Sequence, residues 1–197
     1  MCIRDSVWTA RAFGSGIPAW RGWLRTLDRH GSLPAPIDPL VTARTRTGDA
    51  RPDRIHVVLD QEALPHLLGV RRLPDPLPEP AAEAPDLARR ISGVAGLLVP
   101  DDQRKALMRR TVRPLLAGEP GSPLSVPEEH LPWLRDHAAR ITDGLSRAGY
   151  AVHGDPAVLV PVREPGVEAP APRSTLALAI RIMLAGRTGA DTTDEEA

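Results

Sequence analysis

The sequence predicts an α/β fold, a partial parallel sheet followed by a mostly helical C-terminal half. Three observations predict it. Arg54–Leu59 (Arg-Ile-His-Val-Val-Leu) is a nearly continuous β-branched and apolar run, the pattern of a parallel strand covered on both faces. Strand, helix, strand and helix signals alternate over the first 69 residues. Beyond residue 85, apolar residues recur mainly at helical spacing.

Val7–Ala10 is short and apolar and reads as a first strand. Phe13-Gly14-Ser15-Gly16 reads as a turn, and Pro18 then opens a helix at a position where its missing N–H costs nothing. Trp20, Trp23, Leu24 and Leu27 form the buried stripe of that helix, which Gly31 ends. Ser32–Asp53 is rich in Pro, Thr and Arg and reads as irregular chain. After the Arg54–Leu59 strand, Asp60 caps a helix over Gln61–Leu68 that stops at Gly69. Arg72–Pro85, with its alternating prolines, reads as an extended strap.

Helices are expected over Asp86–Val99 and from Asp101 or Asp102 to Ala117, the second with a bend at Pro114. Ser125-Val-Pro-Glu128 has the spacing of a capping box. It precedes a helix whose Leu131, Leu134, Ala138, Ile141, Leu145 and Ala148 recur in steps of three and four, up to Gly149. Tyr150–Val152 and Val158–Val162 suggest short extended pieces, Ser174–Ala185 a buried helix, and 186–197 a disordered tail.

Composition excludes several function classes. The chain has 25 basic and 25 acidic residues among 197, so it lacks the surplus positive charge of a general nucleic-acid or membrane-surface binder. Aromatic residues at 3% do not make a base-stacking platform. One cysteine, Cys2, cannot build a disulfide framework or a thiolate zinc site, and no histidine spacing matches a metal motif, so no metal is expected. The longest apolar run, Leu176–Ile180, is far short of the roughly 20 residues of a membrane span. No membrane span and no signal peptide are read, which leaves a cytoplasmic location as the expectation.

Four features could carry chemistry. Arg11 closes the first predicted strand, where open α/β sheets bind ligands, and its guanidinium could grip a phosphate or pair with an acid at the sheet rim. Lys105, Arg109 and Arg113 lie four apart on one helix face, which holds an anion or is simply solvated. His153-Gly154-Asp155-Pro156 offers either a general base beside a carboxylate or a turn in which Asp155 binds backbone N–H groups. His56 and His137 read as a strand core residue and a helix-boundary residue.

Met1-Cys2-Ile3-Arg4-Asp5-Ser6 resembles the translation of a transposase adapter used in sequencing libraries, so residues 1–6 are set aside as an artefact. A single domain over residues 7–185, missing an N-terminal segment, is then expected. Two stretches resemble the sulfotransferase-like proteins of actinobacteria. The first runs from Val7 to Trp20, where Arg11, Pro18 and Trp20 match the family's spacing. The second, Pro127–Pro161, carries a Trp-containing helix and then Gly-Tyr-Ala-Val-His-Gly-Asp. The resemblance implies a P-loop-type fold and transfer of a sulfuryl group from 3′-phosphoadenylyl sulfate to a hydroxyl acceptor, a small molecule or glycan. It also implies that Arg11 contacts the donor's 3′-phosphate. The family's second contact, a Ser, is Ala19 here, and its phosphosulfate loop is not in the sequence. A non-catalytic relative serving as a binding or interaction domain is the alternative.

A strand at Val7 without its neighbours would leave the domain poorly packed. Calorimetry of residues 7–185 is then expected to show a broad, weakly cooperative transition, and one sharp transition would count against a missing segment.

Overall fold

In the computed structural model the described residues are 8, 11–12, 17–35, 37–48, 50–74 and 80–190, with side chains described up to 184. Eight helices and two strands lie among them: α1 (Trp20–His30), α2 (Pro39–Thr47), β1 (His56–Val58), α3 (Leu64–Leu68), α4 (Glu83–Leu98), α5 (Asp101–Leu107), α6 (Arg113–Leu116), α7 (Leu131–Ala148), β2 (Ala151–His153) and α8 (Pro172–Ala190). The protein is mixed α/β and mostly helical. It divides into two compact units, one of Met1–Trp23, Pro78–Ser125 and Pro165–Ala197, the other of Leu24–Leu77 and Val126–Glu164.

The second unit holds the sheet. β1 pairs in parallel with β2, with His56 opposite Ala151, Val57 opposite Val152 and Val58 opposite His153. Ile141 and Leu145 of α7 bury against Ile55, Val57 and Ala43, with Leu40, Val152 and Leu159 around them. The stripe read from the sequence is this packed face. Gly149 ends α7 at φ +71°, a left-handed cap that suits glycine. α2 forms in the stretch expected to be irregular. Asp38 caps it by accepting from the Val41 N–H at 3.0 Å, and Pro39 sits in its first turn. Asp60 caps a 3-10 turn at Gln61–Ala63, α3 follows, and Gly69 closes it at φ +64°, as expected.

The first unit is helical. Leu178 of α8 packs into a cluster with Ala84, Leu87 and Ala88 of α4 and with Met108, Val112 and Leu116. The last three come from a π turn over Met108–Val112 and from α6. That turn lies just ahead of Pro114, where a bend was expected. A wider turn relieves the clash between a proline ring and the preceding turn without breaking the helix. Asp86 is buried inside α4, with its carboxylate held by Arg89 and Arg90, both at 2.8 Å.

Several expectations are corrected. Trp8, Arg11 and Ala12 have helical backbone, so the strand expected over Val7–Ala10 does not run through Trp8. Its other residues, Val7, Thr9 and Ala10, and the turn at Phe13–Gly16 lie outside the described residues. β1 is open on one side, because His56 is exposed. The capping box does not form. Ser125 is buried, its N–H bonds to the Val167 carbonyl, and α7 is entered through a 3-10 turn at Glu128–His130. Val158–Val162 is not a strand, since Pro156–Leu159 is a 3-10 turn. α8 runs through Gly186 to Ala190, where a disordered tail was expected, and residues 191–197 lie outside the described ones. One face of α8 is buried, yet Leu176, Ile180 and Met183 are exposed.

Removing the partners of a buried charge costs more than removing the charge, because water can still solvate freed arginines at the surface. The double substitution R89M/R90M is expected to cost about 3–5 kcal/mol in urea unfolding, and Asp86→Ala less than that. The reverse order would overturn this account.

Candidate functional site

Arg11 follows Trp8, a member of a tryptophan cluster, by three positions. The Trp8 indole N–H donates to the Pro18 carbonyl at 3.3 Å, and its ring meets Trp20 edge-on at 5.6 Å. Trp20 stacks on Trp23 and donates its indole N–H to the Ser125 carbonyl at 3.0 Å. All three rings are buried, which fixes Trp8, three positions ahead of Arg11, against Pro18 and Trp20. Arg11 is exposed and makes no ion pair among the described residues. Arg21, in the first turn of α1, pairs with Glu168 at 2.7 Å. Ala19 supplies no hydroxyl. Among the described residues Arg11 is then a guanidinium without a carboxylate partner, able to take a phosphate in a bidentate fork.

The basic face of α5 is built differently from the expectation. Lys105 is taken up by Asp101 at 2.6 Å, which Arg104 also contacts. Hydrogen bonding from Lys105, then from Arg104, holds the Asp101 carboxyl below its ordinary range. Arg109 and Arg113 are exposed with no ion pair among the described residues. The nearby cleft, about 310 Å³, is lined by Ser92, Gly93, Gly96, Leu97, Val99, Asp101 and Arg104, and by neither of those arginines. Arg104 donates to the Ser92 hydroxyl at 3.2 Å and pairs with Asp101, so the cleft presents no free cation.

The structure brings together two histidine constellations that no local spacing announces. His56 Nδ1 and His153 Nε2 are 2.9 Å apart across the two strands. Asp155 uses Oδ1 to accept from the Ala157 N–H at 2.9 Å, which bears out the turn at His153–Pro156. The other constellation is buried. His137 Nε2 is 3.2 Å from Asp38 Oδ2, and Arg140 reaches His137 Nδ1 at 3.1 Å. An arginine can only donate, so Nδ1 accepts and the proton sits on Nε2, pointing at Asp38. No hydroxyl or thiol joins this relay in the described structure, and its second carboxylate oxygen caps α2. It ties α2 to α7 and replaces the helix-boundary role expected for His137.

Among the described residues no group of three or more His, Cys, Asp or Glu could hold a metal, and no helix is long and apolar enough to cross a membrane. No family model, curated protein or solved structure matches the chain.

Two outcomes follow. Asp38→Ala removes a helix cap and strands a buried imidazole N–H, and is expected to cost about 2–4 kcal/mol in urea unfolding. The Asp101 carboxyl is more acidic folded than unfolded, so its contribution to stability is present at neutral pH and is lost as pH falls through and below the ordinary carboxylate range. Asp101→Asn is therefore expected to flatten the acid limb of the stability profile relative to the native chain.

Proposed function

We propose that the chain is the C-terminal part of a sulfotransferase-like protein, in which Arg11 takes the 3′-phosphate of 3′-phosphoadenylyl sulfate. The observation that carries this reading is Arg11, exposed and without an ion pair among the described residues, three positions after Trp8, which bonds Pro18 and packs on Trp20; Arg11, Pro18 and Trp20 carry the first of the two stretches of resemblance. The site fits the phosphate and little more of the donor: Ala19 gives no second contact, and the described residues hold no phosphosulfate loop. In the reaction, a hydroxyl oxygen of a small molecule or glycan bonds to sulfur as the bridging S–O bond breaks, and the hydroxyl proton leaves. Positioning and cationic stabilisation of the bridging oxygen are the demands of such a transfer. Arg11 serves binding, and no catalytic group is assigned in this chain. The reading places the protein in the cytoplasm and calls for no metal.

A second reading, a non-catalytic relative acting as a binding or interaction domain, is favoured by Ala19 and by the helical backbone at Trp8 and Arg11. Calorimetric titration with 3′-phosphoadenosine 5′-phosphate separates the two. The first reading expects binding that Arg11→Ala weakens by about tenfold or more, the worth of a charge-assisted fork. Binding unchanged in Arg11→Ala overturns the role of Arg11, and no binding by the native chain favours the second reading.

A further inference from the structure

We propose that the outward side of α8 is a self-association surface, on which a second copy of this chain lays its own α8 antiparallel to the first. The helix is apolar on two sides. Thr175, Leu178 and Ile182 recur in steps of three and four; the first two are buried, and Ile182 packs on the cluster that Leu178 joins. Leu176, Ile180 and Met183 recur in steps of four and three on the other side, with Leu184 beside them. These four are between 49% and 70% exposed, so the chain leaves this stripe to water. A helix with an apolar stripe on each side calls for cover on both.

The spacing of the outward residues fits a second copy. In an antiparallel pair centred on Ile180, position 180 meets itself, 176 meets 184 and 177 meets 183. Leu176 then faces Leu184, and the small, exposed Ala177 leaves room for Met183. The stripe is complementary to itself under a two-fold axis, and its steps of three and four suit helices that cross at about 20°.

Charge selects the antiparallel copy over other occupants. Residues 169–190 contain Arg173, Arg181 and Arg187 and no acid, and Arg181 is held by Glu119 at 2.8 Å. Glu168, just ahead of them, is taken up by Arg21. Residues 191–197 contain Asp191, Asp194, Glu195 and Glu196 and no base. An antiparallel partner starts this acidic segment beside the end of α8 that carries Arg173, and the two helix dipoles oppose. Position 173 meets 187 in this register, and the four acids that follow 187 supply counter-charge to both arginines. A parallel partner sets acids against acids and Arg173 against Arg173, and a surface of anionic lipid meets the same acids. Four apolar side chains per copy fall short of the roughly 20–30 residues a side of a standard interface, so the dimer is weak and reversible, with a Kd on the order of 10–100 µM.

The test is sedimentation velocity of the full chain from about 5 to about 500 µM, with a reductant so that Cys2 cannot link copies. The expected result is monomer–dimer exchange within that range. Leu176→Glu and Ile180→Glu each place a charge in the seam and are each expected to raise the Kd about tenfold or more. Arg173→Glu is expected to raise it about threefold or more, because a carboxylate there meets the partner's acids. Val158→Glu, at an equally exposed valine outside α8, leaves it unchanged. Circular dichroism verifies that each variant keeps its helices. A chain still monomeric at about 500 µM overturns the proposal. So does a dimer that either folded stripe variant leaves intact, one that Arg173→Glu leaves unchanged or strengthens, or one that Val158→Glu weakens as much as Ile180→Glu does. A monomer that floats with vesicles of phosphatidylcholine and phosphatidylserine, and ceases to in Ile180→Glu, assigns the stripe to lipid and overturns it as well.

Discussion

Three-residue parallel pairing between His56–Val58 and Ala151–His153 is the constraint on which the second unit depends. Nearly the whole middle of the chain lies between the two strands, so their registration closes a long loop at a real entropic cost. Six paired residues cannot offset that cost through backbone hydrogen bonds alone. The offset comes from α7, whose Ile141 and Leu145 bury against Ile55 and Val57 from one side. The same pairing leaves the opposite face of the sheet open, and it is there that the two imidazoles meet.

The first unit solves a different problem. Two of its helices, α5 and α6, are short, and glycine or proline lies within α4, α6 and α8, so their intrinsic stability is small. Their order comes from tertiary burial: Leu178 against α4 and the π turn, and the tryptophans around Trp20. The Asp86 clamp adds specificity within α4, since a buried carboxylate tolerates only the register that keeps both arginines in reach.

An arginine-rich chain of zero net charge invites the search for anion sites, and the ion pairs separate the cations held by a carboxylate from the others. Arg21, Arg89, Arg90, Arg104, Arg147, Arg163 and Arg181 each have a carboxylate partner. Arg11, Arg109 and Arg113 have none among the described residues. Of these, Arg11 alone lies within three positions of the tryptophan cluster, through Trp8, which is why it carries the functional reading and the others do not.

Local chemistry was legible where a residue acts on its neighbours in the chain. The α7 stripe, the stops at Gly69 and Gly149, the cap at Asp60 and the Asp155 turn follow from spacing, left-handed glycine and short side-chain bonds. The α2 cap at Asp38-Pro39 was equally local and was outweighed by the surrounding Pro, Thr and Arg. The His56–His153 and His137–Asp38 pairs join residues 97 and 99 positions apart, a separation at which sequence spacing carries no signal. Only the tertiary structure decided that His56 faces solvent, that Ser125 serves a bridge to Val167 instead of a helix cap, and that α8 buries one side and exposes the other. Each depends on which surface another segment covers, and residues distant in the chain set that coverage.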